Sequence, residues 1–100
     1  MNATEFEDRF LKTTLEELIH LTRTKGREYA NNDDQLANFK RLGTQLGLRP
    51  EQVLYVYLAK HLDSIQSFLR HPEQDLSEPI EGRIDDAILY LILLKALLDE

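Results

Sequence analysis

Glu78, Glu81 and Asp85 stand three and four residues apart, a spacing that puts them on one face of a helix. Three negative charges that close repel unless water, protons or a cation neutralise them. Hard oxygen ligands of this kind suit magnesium or manganese. The plain alternative is a solvated acidic first turn, which the positive end of the helix dipole also favours. Upstream, a short stretch collects Lys25, Arg27, Tyr29, Asn31, Asn32, Asn38 and Phe39. Cations can meet phosphate, aromatic rings can stack on a base, and amides can read its edge. Between the two groups, Tyr57, Lys60, Asp63, Ser64 and Ser67 lie beside an apolar stripe, with Lys60 and Asp63 spaced for a local ion pair. His61 falls within that stripe, where the ordinary role of a histidine is a hydrogen-bonded core group. Arg83 lies among the acids in sequence and can pair with another helix.

Other chemistries lack their residues. The chain of 100 residues has no cysteine, so disulfides, zinc ribbons and thiol nucleophiles are excluded. It has no phosphate-cradling glycine loop, no His-x-x-x-His pair and no Gly-x-Ser-x-Gly elbow. The net charge of −6 argues against duplex DNA as a partner, because such binding needs a basic footprint. The charge is uneven, however. Residues 23–49 carry a net +3 in an otherwise acidic chain, enough for one small anionic ligand. The N-terminus is acidic and lacks an apolar signal core. The apolar run from Ala87 to Leu98 is interrupted by Lys95 and falls short of the roughly 20 residues of a membrane span. No membrane association and a cytoplasmic location are expected.

The elements that must position these groups read as four helices in one all-α, four-helix bundle-like domain over residues 1–100. Thr4-Glu5-Phe6-Glu7 fits a capping box and opens helix one, whose stripe is Phe6, Phe10, Leu11, Leu15, Leu18 and Ile19. Lys25-Gly26 is a stop signal, and residues 26–33 read as a loop. Asp33 or Asp34 caps helix two, which buries Leu36, Phe39, Leu42 and Leu46 and ends at Gly47. Pro50 opens helix three, which runs to about Leu69 and buries Leu54, Leu58, His61, Leu62, Ile65, Phe68 and Leu69. Ser77 or Glu78 caps helix four, with Pro79 in its first turn. Helix four carries two apolar stripes: Leu89, Tyr90, Leu93 and Leu97 on one side, Ile84, Ile88, Leu91 and Leu98 on the other. A small four-helix monomer does not easily cover both, so the second stripe predicts a homodimer or a dimer of dimers. A core helix is the alternative. Leu93→Asp is expected to break the assembly, and a pocket at its seam would pair Lys25 or Arg27 of one chain with Glu81 of another.

The ordered set of motifs resembles a family. Lys25-Gly-Arg-Glu-Tyr29 followed by Leu36-Ala-Asn-Phe39 is similar to the Lys-x-x-[Asp/Glu]-Tyr … Asn-Phe pattern of small phage and bacterial nucleotide-modification-associated proteins. Lys60-His-Leu-Asp63-Ser-Ile65 and the run from Ser77 to Tyr90 extend the likeness over about residues 15–98. That family looks distantly like the MazG-type all-α nucleoside triphosphate pyrophosphohydrolases. The resemblance implies a helical, oligomeric fold, a nucleotide or nucleotide-derived ligand, and magnesium held by acids on two helices. Glu81 and Asp85 stand at the second acidic pair, and Asp63 is the nearest match on the preceding helix. Lys25, Arg27 and Lys60 would hold phosphates, Tyr29 and Phe39 would contact the base, and Asn38 completes the nucleotide set. Helix three offers Lys60-x-x-Asp63 where MazG-type enzymes carry Glu-x-x-Glu, which weakens a metal site.

Three functions are therefore expected in competition. The first is a phage-type nucleotide-binding protein, as an enzyme a magnesium-dependent nucleoside triphosphate pyrophosphohydrolase. The second is a non-catalytic protein that sequesters a nucleotide and so counters host defence signalling. The third is a helical protein-interaction module with no small ligand.

Overall fold

Asn2, in extended backbone, starts the first helix: its side-chain oxygen accepts the Glu5 N–H at 2.8 Å, and its amide nitrogen donates to the Glu5 carboxylate at 2.9 Å. The cap thus falls two residues before Thr4, because Asn2 supplies an acceptor at the usual three-residue reach. The computed structural model describes residues 1–29 and 34–100, and only the backbone of residues 25–29. All regular structure among the described residues is helical, with no strand. They fall into two compact units, Met1–Gln35 and Leu36–Glu100.

The first unit is one helical run: α1 (Ala3–Phe6), a π-helical turn (Glu7–Leu11) and α2 (Lys12–Tyr29). Around the wide turn the Thr13 hydroxyl donates to the Asp8 carbonyl at 3.2 Å and Lys12 pairs with Asp8 at 3.2 Å. The helix continues through Gly26, where the sequence suggests a stop. One interior glycine costs only about 1 kcal/mol, too little by itself to end a periodic helix. The rest of the expected loop, with Asn31, Asn32 and Asp33, lies outside the described residues. The apolar stripe of helix one forms, yet Phe6, Phe10, Leu11, Leu15 and Ile19 are exposed and Leu18 is buried.

The second unit holds α3 (Ala37–Leu46), α4 (Pro50–Arg70) and α5 (Ile80–Asp99). The N-cap of α3 is Leu36, with no side-chain cap, and its carbonyl accepts the Lys40 N–H. Gly47 ends α3 as expected, at φ 70° in the left-handed region. Gly43 is needed for a different reason: a Cβ there would meet the Leu48 carbonyl oxygen at 2.7 Å as the chain turns back. Pro50 opens α4, and the Gln52 side chain accepts the Arg49 N–H at 2.9 Å. The N-cap of α5 is Pro79 rather than Ser77 or Glu78. Proline's fixed φ sets the entry angle, and no side-chain cap is made.

The core of this unit gathers Leu36, Phe39, Val53, Leu54 and Leu97, with Leu42, Tyr90, Leu93 and Leu94 packed around it. Leu54 is fully enclosed, at 0% exposure. Leu46, Leu62 and Leu69, expected inside, are exposed. Leu46 lies at the C-terminal end of α3, while Leu62 and Leu69 lie off the line of Leu54, Leu58 and His61 that meets α5. On α5 the first stripe packs inward and the second stays open at Ile84, Leu91 and Leu98. Leu93 therefore belongs to the core side, and Leu93→Asp attacks the fold before any assembly. No helix among the described residues is long and apolar enough to cross a membrane.

Candidate functional site

α4 and α5 run antiparallel, in a register fixed by two cross-links seven residues apart on each helix. The Arg83 guanidinium donates to the Ser64 hydroxyl, and Tyr57 stacks on Tyr90 with ring centroids 6.2 Å apart and planes 6° from parallel. A step of seven residues returns to nearly the same helix face, so both links lie along one seam. Arg83 also reaches the Ser77 hydroxyl at 3.5 Å, across the loop that joins the helices. A long cation held by two hydroxyls loses less entropy on binding an anion than a free one, because its rotamer is already fixed.

The rings form a cluster at the junction of three helices. Phe39 of α3 stands edge-on to both tyrosines, at 6.1 Å from Tyr57 and 6.3 Å from Tyr90. His61, one turn beyond Tyr57, leans against Tyr90 at 5.2 Å. Separations of this size are the favourable range for aromatic pairs. α3 is 10 residues long and α4 is 21, so α3 lines only about half of the hairpin. Phe39 lies in the first turn of α3, at its N-terminal end; beyond it the same side of the hairpin carries His61, Ser64, Arg83 and Asp86. Burial is the main cause that raises the Tyr90 phenol above its usual value, helped by the negative charge of Asp86 and by Tyr57. Tyr90 is thus held as a neutral hydrogen-bond donor throughout the physiological range.

The residues singled out from the sequence separate into three groups. Phe39 and Asn38 sit on α3: Phe39 is a buried core ring, and Asn38 accepts a long contact of 3.5 Å from Arg41. Burial leaves Phe39 as the ring that backs the tyrosines, with no open face for a base. Lys60 is exposed on α4, next to His61. Asp63 is also exposed and lies nine residues, two and a half turns, from Leu54, on the outer side of α4. Glu81 is exposed on α5, with Asp85 half-buried one turn on. Among the described residues no three acids or histidines are grouped to hold a metal ion. Asp63 thus lies on the side of α4 away from the seam that α5 occupies, and the structure does not bring it to Glu81 and Asp85. The side chains of Lys25, Arg27 and Tyr29 lie outside the described residues.

The sequence reading missed Tyr57, Tyr90 and Arg83 as one constellation. Each was visible singly, but their meeting depends on the hairpin register, which no local spacing reveals. Two identical steps of seven, Tyr57 to Ser64 and Arg83 to Tyr90, were the available signal. No family profile, curated protein or solved structure matches the chain.

Proposed function

We propose that the chain is a phage-type nucleotide-binding protein that holds its ligand at the α3 side of the α4–α5 hairpin and acts as a homodimer or dimer of dimers. The observation that supports this reading is the ring cluster of Tyr57, Tyr90 and His61 beside the anchored Arg83. Stacking on tyrosine is tolerant of the base and contributes about 1–3 kcal/mol per base. Arg83 and Lys60 supply charge for phosphate, and the Tyr90 hydroxyl supplies a donor. Sequestration fits these groups better than turnover. Pyrophosphohydrolysis would draw on Asp63, Glu81 and Asp85 as magnesium ligands, and Lys60 brings a cation to that helix instead.

A thermal-shift screen with nucleoside mono-, di- and triphosphates, with and without magnesium, tests the reading. A ligand at a hundredfold excess over its Kd adds about 2.7 kcal/mol and raises the melting temperature by several degrees. Chromatography of the ligand recovered after heat denaturation then separates the two modes: an intact nucleotide marks sequestration, and a cleaved one marks hydrolysis. A flat screen across all nucleotides overturns the proposal in favour of a helical interaction module.

A further inference from the structure

The open face of the α4–α5 hairpin has a seam of its own. On α4, Tyr55, Leu62 and Leu69 recur every seven residues; on α5, Ile84, Leu91 and Leu98 do the same. All six are exposed, by 41–72%. Both rows turn away from α3. Val53 packs with Leu36 and Phe39 of the α3 region, and Leu62 lies nine residues further on, two and a half turns, hence diametrically opposite. On α5, Leu93 packs against that same core, and Leu91 stands two residues before it, about 200° round the helix and so nearly opposite. The two rows therefore lie side by side on one surface of the hairpin.

We infer that this surface is where a second copy of the chain docks, hairpin against hairpin, to make an intermolecular four-helix core. The inference rests on the homodimer proposed above and gives it a surface; that surface lies opposite the ring cluster, so a monomer that still binds nucleotide overturns the docking face alone. A repeat of seven is the period at which a helical seam stays in contact with a partner helix. Filling the rows with the intervening Ala59, Gln66, Ile88 and Lys95 gives ten positions with a single charge, in a chain that is 30% charged. Depletion of charge is the compositional mark of an interface core. Half-exposed side chains of this size offer on the order of 100 Å² each, and with Val56 and Ile92 at the rim the face approaches the ~800 Å² per partner of a specific complex. An identical hairpin supplies a surface of the same dimensions, period and polarity, and a two-fold axis lets both copies use it at once.

Light scattering on the full chain tests the inference. The expected mass at micromolar concentration is twice the 11.7 kDa of the chain, or a further even multiple. Leu62→Glu combined with Leu91→Glu should return the mass to one chain while the helical circular dichroism signal is kept, because both positions are exposed within one chain. The absence of cysteine adds a readout that survives any loss of stability in those variants. Leu91→Cys in an otherwise unchanged chain should give a covalent dimer with a short bis-maleimide, and Thr44→Cys on exposed α3 should not. A wild-type monomer at 100-micromolar-order concentration overturns the inference. So does a double variant that stays dimeric, or cross-linking through Thr44→Cys in place of Leu91→Cys.

Discussion

The two sides of the α4–α5 hairpin use the same residue types to different ends. Facing α3, Val53, Leu54 and Leu97 are buried with Phe39, and the tyrosines stack beside them. Half a turn away, Tyr55, Leu62 and Leu91 are equally apolar and stand open. Hydrophobicity along the helix cannot distinguish the two, and α5 in particular is apolar nearly all round. What distinguishes them is a short third helix. α3 needs only ten residues and two glycines to fold back over one side, and its position decides which face becomes core.

The comparison is broken most severely at Leu54. Leu54→Ala leaves a cavity where nothing is exposed, and a loss of about 2–5 kcal/mol is expected in urea denaturation. Next comes Gly43→Ala, which forces a methyl group to within 2.7 Å of the Leu48 carbonyl. That neighbour is backbone and cannot swing aside, so the turn that brings α3 over the hairpin must open, at about 1–3 kcal/mol. Lys40→Met removes the surface pair with Glu100 and should cost about 0.2–1 kcal/mol, shrinking further in high salt. On the open side, Leu62→Ser measured in dilute, monomeric protein should change stability by less than about 0.5 kcal/mol. A large loss there would show that the two sides are not different after all.

Proton linkage sharpens the same contrast. The Tyr90 phenol has a folded-state pKa above the ordinary 10.0, chiefly because it is buried. As pH rises past that value the unfolded chain releases this proton before the folded one does, so the unfolded state gains and stability falls. Below it both states keep the proton and the group contributes no slope. Tyr90→Phe should flatten the alkaline fall in urea denaturation midpoints relative to wild type.

The helices themselves were legible because their punctuation is local. Pro50 and Gly47 fall where the residue types place them. The caps at Asn2, Leu36 and Pro79 were less legible, since several nearby residues compete for each end and only the exit angle of the chain decides. Two apolar stripes on α5 could be read, and the structure settles which of them meets the core. The candidate site was legible only in fragments. Lys60 and Phe39 were singled out for their chemistry, but Phe39 turned out to be packing, and Tyr57 with Arg83 acquired meaning only through the cross-helix register.

The claim that one side of the hairpin receives a nucleotide can be tested residue by residue. Titrating a nucleoside triphosphate into isotope-labelled protein and following backbone amide and tyrosine ring resonances reads both sides in one experiment. The account predicts that Tyr57, Lys60, His61, Arg83 and Tyr90 shift together in a saturable way, while Leu62, Leu69 and Leu91 do not. Shifts confined to the open side, or none up to millimolar nucleotide, would contradict it.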